Sequence, residues 1–459
     1  MHIRKFDHDY TRRAFLAKAG TLAGAGVLAP LWPTIAHSAD ISKVYPDEVM
    51  SVDAYTKGKV KTGDYITAAN VELVKDLLAP ILYKQIKEMG RRIKIVPTTR
   101  DVTKLFPADY LEATLRNAGK GKFDKDSNIV NGADGKPWIG GNPFPEAKTG
   151  IEAMANLTMS WGRANNCVYA IRDHDIGPDG KESYQYDFAW FEENAVSRLG
   201  AGGPYKAGHE DKLRYQMVLF TGPSDVRGTA YLSTWYNDQR KFPDLVGYVP
   251  AFKRVRKFPT NQRFEPLVAG IAFYLSDAWA SGDPLLTWGN FKLVDRRPML
   301  GAQSQNWWGD TPNWDAPVQG GPHGLTFYDT NYEMCPECLV VDSEPVGYPR
   351  APVGKKRVWV DTRNMEFIAS HTYDRRGELF KSFEPIFSQY EKGNLRDMDH
   401  TGKNITWSWT GVLTHDIQAN RMSRFHQNKE ISGGIKSARN VEGMYEKYLT
   451  EQAISRLGS

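Results

Sequence analysis

Beyond residue 39 the sequence has no apolar run long enough to cross a bilayer, because charge interrupts every hydrophobic stretch within a few residues. The mature chain is therefore expected to be soluble. It also carries little net charge. Residues 1–39 hold five of the 59 basic and two of the 54 acidic side chains, so without them 54 stand against 52 and the formal charge falls from +5 to +2. That balance argues against nucleic acid as a partner, since phosphate binding needs concentrated positive charge. Ten histidines are present, yet none stands in an HExxH, a paired HxH or another local metal spacing. Gly200-Ala201-Gly202-Gly203 is followed by Pro204 and does not suit a dinucleotide turn, and no GxSxG elbow occurs. Internal repeats and low-complexity segments are lacking too. No catalytic residue, metal site or cofactor is expected on these grounds, and the sequence positively supports no reaction.

What is present begins at the N-terminus. Thr11-Arg12-Arg13-Ala14-Phe15-Leu16-Ala17-Lys18 supplies the paired arginines and following Phe-Leu of a twin-arginine export signal. A weakly apolar stretch from Ala19 to Ile35 follows, broken by Pro30 and Pro33, and then Ala36-His37-Ser38-Ala39 offers small residues to signal peptidase. The stretch is shorter than a spanning helix requires. Residues 1–39 are accordingly read as a removable signal, which places the remaining chain in the periplasm.

The next clear pattern is helical. Val71, Val74, Leu77, Leu78, Ile81, Leu82, Ile86 and Met89 recur at helical spacing over 67–90, with Thr67 as a cap, Gly90 at the stop and Pro80 kinking or dividing the helix. A shorter helix runs from Pro107 through Leu115 and ends before Gly119. Residues 119–148, rich in Gly, Asp, Asn and Pro, read as a long loop. From about residue 165 the pattern changes to short aromatic and β-branched runs bounded by turn signals. Strands are expected at Cys167–Arg172, Tyr184–Phe191, Leu213–Phe220, Thr229–Tyr236, Val246–Val255, Phe291–Val294, Arg357–Asp361, Glu366–Tyr373 and Glu378–Glu384, and 404–417 continues in the same style. The last three named runs sit close enough to form an antiparallel meander. Residues 296–323 read as an irregular insertion, and Val441 to Leu457 returns to helical spacing. The fold class expected is α+β: a few N-terminal helices, a long antiparallel sheet and a helical tail.

Three features carry chemistry. Cys335-Pro336-Glu337-Cys338 sits before the strand-like Leu339-Val340-Val341-Asp342, and in an oxidising compartment the two cysteines could close a tight disulfide, stay structurally inert, bind metal with outside ligands or exchange redox equivalents. Cys167 stands alone. In Lys253-Arg254-Val255-Arg256-Lys257 a strand would put Arg254 and Arg256 on one face and Val255 on the other. That face is either edge protection by charge or a rim for an anionic head group or acidic partner. Trp307, Trp308 and Trp314 in the insertion either pin it to the core or form a lid over an apolar ligand. Asp397-Met398-Asp399-His400 and His415-Asp416 are the nearest approaches to an acid/base cluster, and read more simply as capped turns.

Several segments together resemble the bacterial domain-of-unknown-function 1329 family, whose fold is similar to that of the LolA/LolB lipoprotein carriers. They are Thr62-Gly63-Asp64-Tyr65-Ile66-Thr67-Ala68-Ala69-Asn70, Met89-Gly90-Arg91, Gly141-Asn142-Pro143-Phe144-Pro145, Gly150-Ile151-Glu152-Ala153-Met154-Ala155-Asn156, Gly247 to Lys257, and Val358-Trp359-Val360-Asp361. The resemblance implies a half-open, strongly curved antiparallel sheet (LolA-like) whose mouth is covered by helices. It implies one carrier domain over 40–459 for a hydrophobic, lipid-like molecule. It also implies a setting beside an inner-membrane transporter of the resistance-nodulation-division type and an outer-membrane partner. The twin-arginine signal and the cysteine pair depart from the family's usual picture. Trp235, Tyr248, Trp359 and Phe367, at alternate strand positions, are expected to face either a filled core or an apolar cavity; with Arg254 and Arg256 they are the candidate ligand-binding residues. The alternative function is a periplasmic enzyme using metal or cysteine chemistry.

Overall fold

The computed structural model describes residues 40–259 and 263–458. The expected export signal at Arg12 and Arg13 lies outside the described residues. Seven α-helices are found among them: α1 (Asp47–Met50), α2 (Val52–Thr56), α3 (Pro80–Glu88), α4 (Ala108–Asn117), α5 (Gly150–Met159), α6 (Met444–Tyr448) and α7 (Glu451–Gly458).

A single 16-stranded sheet organises the chain. Its strands are β1 (Tyr65–Ile66), β2 (Ile93–Ile95), β3 (Asn166–Ile176), β4 (Glu182–Asn194), β5 (Lys212–Gly222), β6 (Ala230–Tyr236), β7 (Asp244–Val249), β8 (Arg254–Lys257), β9 (Gly289–Gly301), β10 (Thr330–Glu344), β11 (Val353–Asp361), β12 (Glu366–Asp374), β13 (Leu379–Gln389), β14 (Trp407–Asp416), β15 (Arg421–Asn428) and β16 (Ala438–Arg439). The order is β1-β2-β10-β11-β12-β13-β14-β15-β3-β4-β5-β6-β7-β8, with β9 on β10 and β16 on β3. Every pair is antiparallel except β2 with β10. The sheet does not close, since β1 and β8 end the path unpaired with each other.

The sheet bends around its own contents. Trp409 of β14, Trp279, Trp161 and Trp235 of β6 follow one another with ring centroids 5.3, 5.9 and 5.7 Å apart. Five strand spacings separate β14 from β6, about 24 Å in a flat sheet, so three ring contacts can bridge them only across a curve. The concave face holds one cluster in which Tyr169, Phe188, Val218, Val360, Phe367, Phe383 and Phe425 meet the buried side of α5 and residues 271–285. α5 is held by a capping box between Thr149 and Glu152. Its first residue is Gly150, where a Cβ would stand 3.1 Å from Val341 and 3.2 Å from the backbone of Lys292. The fold is thus the expected α+β class with a curved, half-open antiparallel sheet covered by helices; α5 packs into the hollow, and α6 and α7 lie on the outer face.

Several local expectations need correction. Over 67–90 the first half is a 3-10 turn at Val71–Leu77, and the α-helix starts at Pro80; Leu78 and Ala79 are extended, as a following proline requires of the residue before it. Val246–Val255 is two strands, β7 and β8, since Pro250 opens a 3-10 turn and Lys253 takes a left-handed φ of 49°. The 119–148 loop contains a short hairpin pairing Gly121–Phe123 with Ile129–Asn131. Within 296–323 the first six residues belong to β9.

Candidate binding groove on the outer face of the sheet

The alternate side chains of β3, β4 and β5 point outward. Val168, Ala170, Ala189, Phe191, Tyr215, Met217 and Leu219 form an apolar outer face that meets Met444, Leu449 and Ile454 of the tail. Strands buried on both faces read as continuous apolar runs, as Cys167 to Ile171 does. The tail is tied down at Asn166, whose Oδ1 accepts from the Val441 amide at 2.6 Å and whose Nδ2 donates to the Val441 carbonyl at 2.9 Å. Gly458 of α7 lies close against Tyr248, since a Cβ on it would collide with that ring at 2.2 Å.

A small hairpin pairs Glu430–Ile431 with Ile435–Lys436 and folds against the same face. Asp187 holds it, accepting from the Ser432 amide at 3.1 Å while Arg172 binds the carboxylate through Nε at 2.9 Å and Nη2 at 3.3 Å. These contacts keep Asp187 below the ordinary carboxylate range despite its burial. Between the hairpin, the sheet and the tail lies a groove of 580 Å³ lined by Val168, Phe191, Leu219, Ile435, Ala438, Val441, Tyr448 and Leu457, with Thr221, Arg227 and Lys436 as its polar members. Arg227 is exposed and donates from Nε to the Thr221 carbonyl at 3.0 Å, with no carboxylate paired to it among the described residues. Lys436 meets Glu430 at 3.4 Å with both side chains well exposed, a pairing that contributes little. An apolar trough with cations at its rim suits a molecule with an apolar chain and an anionic end.

The residues singled out from the sequence are not brought together. Trp235 and Phe367 are 1% exposed and belong to the concave-face cluster. Each borders a void of about 20 Å³ there, room for roughly one water. Trp235 lies under the guanidinium groups of Arg214 and Arg263, 5.3 and 5.2 Å from its ring centre. Trp359 packs in a separate cluster, edge-on to His371 at 4.9 Å. Tyr248 is on the outer face beneath α7 and does not line the groove. Arg254 and Arg256 are exposed on the edge strand β8, with Val255 turned inward. Trp307 and Trp308 are buried; Trp307 stacks on Tyr390 at 5.4 Å, so the insertion is pinned to the body.

Cys335 and Cys338 are free thiols in the structure, as is Cys167, and all three are buried. The two cysteines lie in β10 on either side of a register shift against β9, where Met299 faces Cys335 and Arg297 faces Cys338. Burial pushes each thiol up, which disfavours the reactive thiolate. Arg363 donates to Cys335 Sγ at 3.4 Å but is committed to Asp361 and Glu333, each at 2.6 Å.

Asp399 caps a turn, accepting from Thr401 and Asn404, and these bonds hold it at about 2 against the cost of burial. Asp416 likewise accepts from the amides of Gln418 and Ala419. His415 is buried with Nδ1 3.2 Å from Gln85 Nε2. Among the described residues no group of three or more His, Cys, Asp or Glu is placed to hold a metal ion, and no helix is long and apolar enough to cross a membrane.

The open, bent sheet with its α5 plug defines an α+β protein that carries a mainly apolar groove on its outer face. The chain belongs to the DUF1329 family, described as a protein of unknown function, whose profile matches residues 65–455. Among solved structures, it is similar to a DUF1329 family protein from Desulfovibrio piger at 14% identity and a TM-score of 0.42, covering 66% of this chain and 97% of the other. It is also similar to a LolA superfamily protein from Nitrosomonas europaea at 12% identity and a TM-score of 0.35, covering 65% and 97%. No curated protein matches it.

Proposed function

We propose that the protein is a carrier for a lipid-like molecule with an acidic head, held in the outer groove and moved within the periplasm after twin-arginine export. Residues 40–459 act as one carrier domain serving an envelope transport system. The observation that carries this reading is the groove itself: 580 Å³ of mainly apolar lining with Arg227 and Lys436 beside it. Each buried methylene contributes about 0.8 kcal/mol, so fourteen give about 11 kcal/mol. Association costs of at least about 4 kcal/mol leave about 7 kcal/mol, which is micromolar affinity.

A fluorescent polyene fatty acid is the direct probe. It should brighten on the purified chain at micromolar concentration, and solvent extraction of gently prepared protein should release lipid. Ala438→Trp, which fills the groove from β16, should weaken probe binding about tenfold, the loss of roughly two methylenes of contact, with the melting curve unchanged. Protein that carries no lipid and leaves the probe dark, or an Ala438→Trp variant that binds as the parent does, overturns the assignment.

A further inference from the structure

The turn between β7 and β8 has a composition that edge protection does not explain. Pro250–Phe252 forms the 3-10 turn, Lys253 follows in the left-handed region, and β8 pairs only with β7. Phe252 is 53% exposed, among the most exposed large apolar residues described. Lys253, Arg254, Arg256 and Lys257 are all exposed and have no carboxylate partner among the described residues. The Arg256 guanidinium lies 4.5 Å from the centre of the Phe252 ring. Charge alone would blunt an edge strand; an aromatic ring held out at the tip adds nothing to that purpose.

This tip lies beside the groove. Gly228 stands close to both Pro250 and Gly458, for a Cβ on it would come within 3.2 Å of the proline ring and 2.7 Å of the Gly458 carbonyl oxygen. Its neighbour Arg227 and the α7 residue Leu457 both line the groove. Residues 221–228 and 250–257 together hold five cations and one acid, Asp225. The face at this end of the groove therefore combines a surplus of four positive charges with a protruding aromatic ring.

We propose that this turn is a docking surface for a bilayer rich in anionic phospholipid, placed so that the groove lies next to the membrane when the turn is seated. Basic side chains gather at anionic head groups, and an aromatic ring enters the boundary between head group and acyl chain. An acidic protein would match the charges equally well but has no need of the protruding, half-exposed ring, so the bilayer is the occupant the observations favour. The inference goes beyond the carrier reading and does not require the groove to be filled.

Co-sedimentation with vesicles tests it, using the mature chain and two compositions, phosphatidylglycerol with phosphatidylethanolamine, and phosphatidylcholine alone. The protein should bind the first and not the second, and 1 M salt should release it, because screening shortens the reach of surface charge. Phe252→Ser with Arg254→Glu and Arg256→Glu should lower vesicle binding by about tenfold or more while the fatty-acid probe binds as before. Lys253→Glu with Lys257→Glu, both exposed, should do the same and guards against a folding defect in the first variant. Ala438→Trp should bind vesicles normally while losing the probe, which separates failure of docking from failure of the carrier reading. Equal binding to both vesicle types, no binding to either, or unchanged binding by both charge-reversed variants overturns the proposal, as does capture of an acidic protein without any vesicle binding.

Discussion

Tyr448 of α6 stacks on Phe191 of β4 with ring centroids 4.4 Å apart and planes inclined by 22°. The contact joins the tail to the sheet at the wall of the outer groove, since both rings line it. Tyr448→Ala is expected to destabilise the fold by about 1–3 kcal/mol, less than a fully buried aromatic because Tyr448 is only half-buried. It should also weaken fatty-acid binding, while Tyr448→Phe keeps both. Urea unfolding read beside a probe titration checks this, and an alanine variant with unaltered binding would show that the tail is not part of the site.

The cysteines give an outcome that counts thiols. With Cys167, Cys335 and Cys338 free and buried, an alkylating reagent without reductant should modify none in the folded chain and three in denaturant. One reactive thiol per denatured chain would mean that Cys335 and Cys338 are joined after all. The parent and a Cys335→Ala, Cys338→Ala variant should then be compared for stability.

Most strands were legible because one face or both are apolar. β3 to β5 contain the expected runs and extend beyond them by up to four residues, while β6 starts one residue later than its run. β10 was readable only at Leu339 to Asp342: Pro336 and Glu337 argue against a strand, and the fold absorbs them where the β9 register slips between Arg297 and Met299. β15 was missed for another reason. Its Arg421, Ser423, Arg424, His426 and Gln427 are too polar for a strand pattern, yet most are buried because distant partners satisfy them. Ser423 donates to Asp175, and Gln427 donates to the Trp409 carbonyl at 2.5 Å. The groove was hidden more deeply, since its lining runs from Val168 to Leu457 and only the tertiary fold gathers it.

Export is tested by the arginine pair. Arg12→Lys with Arg13→Lys should leave precursor in the cytoplasm, because the twin-arginine receptor reads both guanidinium groups. Normal periplasmic levels of the double variant in a fractionation blot would remove the route from the proposed function.

Stability should fall on both sides of neutral-to-mildly-acid pH, for opposite reasons. Asp173 and Asp175 are two residues apart on the concave side of β3 and nearly free of solvent exposure. Burial raises both, the Asp175 charge raising Asp173 further against the pull of Arg424. A raised carboxyl binds more protons in the folded chain than in the unfolded one. Its contribution is complete below the ordinary carboxylate range and is lost as pH climbs through the raised folded value. His371 and His415 act in the other direction. Burial lowers them to about 3 and about 4, aided by Arg357 at the first and by Lys84 and Arg91 at the second. The folded chain then binds fewer protons, so stability present above about 6.5 is lost as pH falls toward those values. Asp175→Asn should therefore raise the melting temperature at pH 8 and leave it little changed at pH 4. His415→Gln, which can keep a bond to Gln85, should lessen the loss between pH 6.5 and 4 by on the order of 2–3 kcal/mol. Melting curves at half-unit steps of pH read both effects, and an Asp175→Asn variant that shifts equally at pH 4 and pH 8 would show that the two carboxyls titrate as ordinary surface acids.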